Sequence, residues 1–138
     1  MKFINKDHSY IIALKKGEKI IQSIKKICAE QKIQAGYFNA IGAISEVDLG
    51  FYNLKLKQYT TKAFTIPLEI ASMNGNISTL DEQITIHCHG VFSKKDFSTI
   101  AGHVNEAVVA ATCEIFITEL EININRKYNE KIGLNLLN

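Results

Sequence analysis

The chain is poor in several residue types. Its 138 residues include one proline, no tryptophan, one arginine (Arg126) and three cysteines. Eight glycines without a repeat exclude a collagen-like fibre. No apolar run approaches the roughly 18 residues of a membrane-spanning helix; the longest, residues 107–113, stops at Glu114. Residues 1–7 are polar and charged, without the apolar core of a signal peptide. Cys28, Cys88 and Cys113 are odd in number, far apart and free of any C-x-x-C spacing. They predict free, buried thiols in a reducing compartment, hence a cytoplasmic protein. No Gly-x-x-x-x-Gly-Lys phosphate loop occurs.

What is present describes an ordinary globular chain, 46% hydrophobic and 22% charged. This length fits one domain over residues 1–138. It buries roughly two-thirds of its unfolded surface, so folding needs neither a disulfide nor a metal. The net charge of +2 is unevenly spread. Residues 1–62 hold 11 lysines against five acidic residues, and residues 63–138 hold five basic against nine acidic. Arginine is the preferred reader of guanine edges and the better bidentate partner of phosphate. A lysine-rich half without arginine predicts at most weak, salt-sensitive attraction to nucleic acid, and a solvated helix face explains it more simply.

Periodicity outlines the elements. Residues 8–14 read as a strand, and Lys15-Lys16-Gly17 as a turn. Ile20, Ile21, Ile24, Ile27 and Cys28 recur at steps of three and four, which predicts an amphipathic helix over residues 18–31. Strand-forming segments dominate residues 33–124. They cover residues 34–40, 45–52, 58–65, 67–73, 83–92 and 113–121. Asn74-Gly75-Asn76 is a turn or bulge signal, and residues 93–96 read as a loop. The pattern predicts an α+β domain: a mainly antiparallel, twisted sheet with one helix packed on it.

One constellation carries chemistry. Ile86-His87-Cys88-His89-Gly90 lies in a predicted strand, and Ala101-Gly102-His103 follows. Alternate strand residues share a face, so His87 and His89 stand side by side while Cys88 points away. An antiparallel return would deliver His103 beside them. Three neutral imidazoles form the protein part of an open zinc-type site. Histidines that merely donate to backbone carbonyls fit the same local pattern. His8 is expected on the surface.

The order of segments is more specific than any one of them. Lys32-Ile33-Gln34-Ala35-Gly36-Tyr37-Phe38-Asn39-Ala40-Ile41-Gly42-Ala43 and Asp48-Leu49-Gly50-Phe51-Tyr52 are followed by Pro67-Leu68-Glu69-Ile70 and Asn74-Gly75-Asn76-Ile77. Ile86-His87-Cys88-His89-Gly90-Val91, Gly102-His103-Val104 and Cys113-Glu114-Ile115-Phe116-Ile117 complete the series. Over about residues 10–120 this resembles the plants-and-prokaryotes conserved (PPC) domain. The resemblance implies an antiparallel α+β fold and a homotrimer. It also implies that His87, His89 and His103 ligate zinc or another divalent transition metal. An open ion of this kind is expected to bind or act on an unidentified small ligand. Plant relatives join the domain to an AT-hook and bind DNA, which makes a DNA-associated regulator the alternative. This chain has no Arg-Gly-Arg-Pro core, and it carries Ala101 where the family usually has glycine.

Two carboxylates are candidates near such a site. Glu69, in an otherwise apolar segment, is the candidate general base or partner of the metal ligands, or else a half-buried acceptor of backbone hydrogen bonds. Glu106 would face the site only if its segment were helical and is otherwise expected at the surface. Phe38, Phe51, Tyr52 and Phe92 supply more aromatic surface than one sheet face covers, as an assembly would require.

Overall fold

The computed structural model describes all residues, Met1–Asn138. The N-terminal hairpin, β1 (Lys2–Lys6) and β2 (Ser9–Lys15), precedes helix α1 (Ile20–Gln31). Six strands then form most of the remaining sheet structure and an appended hairpin: β3 (Gly36–Asn53), β4 (Gln58–Phe64), β5 (Leu68–Leu80), β6 (Gln83–Ser93), β7 (Thr99–Glu119) and β8 (Arg126–Asn129). The final strand, β9 (Leu134–Leu137), pairs with β8. The α+β expectation holds. All strand-to-strand ladders are antiparallel.

The long strands decide the architecture. β3 pairs with β5 along one edge and β7 along the other, β5 pairs with β6, and β6 pairs with β7. These four strands therefore close into a ring, with β1–β2 continuing from β7 and β4 continuing from β3. Closure pairs the edges of the four long strands with one another and leaves β1 and β4 as the end strands. Register shifts in β3 and β7 bend both strands enough to turn the corner. Inward positions fill the core with Phe38, Ile44, Met73, Ile77, Cys88, Phe92 and Ile115, all essentially without solvent contact.

Helix α1 buries the five residues that its periodicity singles out. It lies beside the β7 edge between the segments paired with β2 and β6. Its N-cap, Lys19, supplies no side-chain cap. The carboxylate of Glu106 takes that role from β7, accepting hydrogen bonds from the N–H groups of Ile21 at 2.8 Å and Gln22 at 3.2 Å. Those N–H groups have no partner within the helix, and the positive end of its dipole favours an anion there. The segment around Glu106 is strand, so this carboxylate serves the helix.

Several expectations need correction. The segments 34–40 and 45–52 are one strand, β3, and residues 113–121 are mostly the far end of β7. Asn74-Gly75-Asn76 is not a turn but the middle of β5. Gly75 is needed there for space: a Cβ would come within 2.4 Å of the Phe38 ring. Phe38 and Phe92 are fully buried within the chain's own core and are not surplus aromatic surface. β1, β8 and β9 had no clear sequence signal. The three cysteines are free and buried, as expected.

Candidate metal centre

Strand β6 presents His87 and His89 on the outside of the ring, while Cys88 between them is buried in the core. The ladder to β7 makes His89 and His103 direct cross-strand partners. Ring centroids lie 5.1 Å apart for His87–His89, 5.2 Å for His87–His103 and 5.4 Å for His89–His103. One ring nitrogen from each residue lies within 4.8 Å of the others. The histidine pairing expected from strand alternation is thus present, and the antiparallel return brings in the third ring.

The surroundings favour the neutral imidazole at His87 and His103. Burial, followed by the nearby charge of Arg126, pushes the His87 pKa down to about 4. His103 is also lowered, by burial first and then by His89 and Arg126. A neutral ring keeps a lone pair for a metal. The Nδ1 atom of His103 is buried and has no hydrogen-bond partner. Buried polar atoms are rarely left in that state, so the reading of three histidines satisfied by backbone carbonyls fails at this ring. An electron-pair acceptor among the three nitrogens fits the donor set.

Neighbouring side chains complete the site. Asn74 and Asn76 on β5 are the cross-strand partners of His89 and His87. The Arg126 Nη2 group donates to Asn76 Oδ1 at 2.7 Å. On the opposite flank, the Tyr59 ring of β4 lies 5.3 Å from the His103 ring. The intervening residue on β3 is Gly50, paired with His103 and with Thr61. A shallow depression bordered by Ser72, Asn74, His89 and Ala101 adjoins the cluster. Ala101 sits in regular strand opposite Val91, where a methyl group needs no special backbone.

Glu69 is not brought to the histidines. It is exposed on β5 opposite Ser93, four residues along β6 from His89, or about 13 Å at strand rise. His8 is exposed and pairs with Glu119 and Glu121, away from the cluster. Sequence reasoning missed Arg126, Tyr59 and the two asparagines. The available signals were the i, i+2 spacing of Asn74 and Asn76 and the presence of just one arginine.

A closed antiparallel strand ring with three convergent imidazoles on its outer surface defines a class of small candidate metal proteins. The chain belongs to the Plants and Prokaryotes Conserved (PCC) domain family, whose profile matches residues 1–121. Among solved structures, a candidate DNA-binding protein from Bacteroides thetaiotaomicron is 33% identical, with a TM-score of 0.96, covering 99% of this chain and 96% of that one. A metal-containing protein from Archaeoglobus fulgidus is 30% identical, with a TM-score of 0.89, covering 99% and 96%. A plant- and prokaryote-conserved protein from Pyrococcus horikoshii is 27% identical, with a TM-score of 0.90, covering 99% and 94%. No match is found among curated protein sequences. No helix is long and apolar enough to cross a membrane.

Proposed function

We propose that this chain is a homotrimeric, cytoplasmic metal-binding protein in which His87, His89 and His103 hold one divalent ion, zinc or a similar transition metal, and present it to a small ligand. The observation that carries this reading is the convergence of one ring nitrogen from each of three histidines within 4.8 Å, beside a His103 ring whose buried Nδ1 has no hydrogen-bond partner. The metal-containing Archaeoglobus relative supports it. A bound ion of this type polarises a carbonyl or phosphoryl oxygen, or lowers the pKa of bound water. The chain's own residues favour the neutral form of His87 and His103, fix the three imidazoles on two paired strands and pack Tyr59 against one of them. Glu69 of the same chain lies about 13 Å along the sheet from His89.

The outer face of β2, β3 and β7 exposes Ile11, Tyr37, Ile41 and Phe116. Ile11 and Phe116 are cross-strand partners, and Phe116 also pairs with Asn39 between Tyr37 and Ile41. An apolar face of this kind supports self-association. Free, buried cysteines support a reducing location.

The test is metal analysis of untagged protein purified without chelator, with light scattering on the same sample. The expected result is about one ion per chain and a mass three times 15.5 kDa. Absence of stoichiometric metal after zinc reconstitution overturns the metal reading, and a monomer mass overturns the trimer.

The second reading is DNA association, favoured by two candidate DNA-binding relatives, from Bacteroides thetaiotaomicron and Ralstonia eutropha. With one arginine in the chain, weak and sequence-independent binding is expected, lost between about 50 and 200 mM salt. Tight, sequence-selective binding at about 150 mM salt in a mobility-shift titration would establish it instead.

A further inference from the structure

The only arginine of the chain is held at the edge of the histidine cluster. Arg126 opens β8 and reaches onto the outward face of β5. Its Nη2 donates to Asn76 Oδ1 at 2.7 Å, its Nε to Ser78 Oγ at 2.8 Å and its Nη1 to the Asn135 carbonyl at 2.9 Å. Asn76 is the cross-strand partner of His87, so the guanidinium sits one strand away from the first imidazole.

These partners are all neutral. The chain's four ion pairs lie elsewhere, and no carboxylate meets Arg126. A partly buried guanidinium ordinarily has an anionic partner, because removing the charge from water is costly. Here it is positioned by three hydrogen bonds, which use three of its five N–H donors. One N–H on each terminal nitrogen is left over. Unused N–H donors on the terminal nitrogens suit a carboxylate or a phosphate. The side chains beside it, Asn76 and Ser78, and His87 one strand away offer no competing negative charge.

We propose that Arg126 is the anion-receiving group of this site, which therefore takes a small molecule bearing a carboxylate or phosphate group. The inference deepens the metal-binding reading and rests on it for the ligand's second point of attachment. The guanidinium would fix the anionic end, and an ion held by His87, His89 and His103 would offer a ligand position to a neighbouring oxygen. Arg126 lies beyond the profile-matched residues 1–121, so the C-terminal hairpin completes a site whose other members come from the matched domain.

The experiment titrates sodium acetate and, separately, sodium phosphate into metal-free protein at constant ionic strength. The Arg126 Nε–H signal is followed by NMR. A sodium chloride titration controls for screening. Saturable shifts with both oxyanions, and none with chloride, are expected. Saturation by one oxyanion alone identifies which of the two groups the ligand carries.

In Arg126→Gln, shifts of neighbouring amides should report binding at least about tenfold weaker, with Arg126→Lys intermediate. Arg126 also ties the hairpin to β5, so a second variant guards against a folding effect. Asn76→Asp places a carboxylate against the guanidinium and should abolish anion binding in a folded protein. No saturable response in the wild type, or unchanged affinity in Arg126→Gln or Asn76→Asp, overturns the proposal. Zinc uptake is measured separately on the same samples. Zinc binding without an anion response defeats the anion receptor alone; an anion response without zinc uptake defeats the metal reading and leaves Arg126 as the receptor.

Discussion

The ring of Tyr59 reaches His103 across Gly50, with its centroid 5.3 Å from the imidazole. A Cβ built on Gly50 would stand 2.9 Å from Tyr59 Cδ1 and 3.7 Å from His103 Cβ. The contact between β4 and the histidine cluster therefore depends on a missing side chain in the strand between them.

Gly50→Ala should push the Tyr59 ring off His103 and weaken zinc binding by about tenfold, the lower range for residues that orient metal ligands. The effect should largely disappear when Tyr59→Ala is already present, because both changes remove one contact. Zinc competition titrations of the two single variants and the double variant check this. Additive losses would show that Gly50 acts by some other route.

Cys88 and His89 are adjacent in sequence but face opposite sides of β6. Burial pushes the Cys88 thiol up to about 12, so it is protonated at neutral pH. Cys88→Ser should keep full metal content and lose about 1–3 kcal/mol of stability for the buried hydroxyl. His89→Ala should remain folded and retain almost no metal. Equal metal loss in the two variants would contradict the observed strand faces.

Glu106 caps the helix across 85 positions of sequence. Glu106→Ala should cost about 1–2 kcal/mol, comparable with the loss of a good N-cap, and Glu106→Gln less. Urea unfolding measures this, with both proteins at the same concentration so that the proposed self-association enters equally. A wild-type midpoint for Glu106→Ala would mean that the helix start needs no external acceptor.

His8 provides a pH dependence of defined sign. Its Nδ1 lies 3.2 Å from Glu119 and its Nε2 3.4 Å from Glu121. The hydrogen bond to Glu119, then the charge of Glu121, raises its pKa above the usual 6.5. Its stabilising contribution is present in full below about 6.5 and fades as pH rises through the raised folded value. NMR titration should place His8 above 6.5 in the wild type and lower in Glu119→Gln. An unchanged His8 titration in that variant would rule out the pairing.

Much of the site was legible because its elements are local. The i, i+2 spacing of His87 and His89 requires only that the segment be extended, and strand geometry then puts both rings on one face and Cys88 on the other. The helix was equally legible, because five apolar residues at steps of three and four describe its buried face without reference to any partner. The free thiols followed from spacing alone.

The remaining features depend on contacts between distant segments. Asn74-Gly75 has the local chemistry of a turn, yet it stays extended because Phe38 of β3 needs the space over Gly75. Glu106 had no visible purpose until β7 carried it to the start of α1. His103 joined the pair through the β6–β7 ladder, whereas Glu69 was left about 13 Å along the sheet by the β5–β6 register. Arg126 was a single residue near the end of the chain. Only ring closure and the C-terminal hairpin brought its charge beside three imidazoles, because cross-strand register, unlike strand alternation, is set by pairing partners that local sequence does not specify.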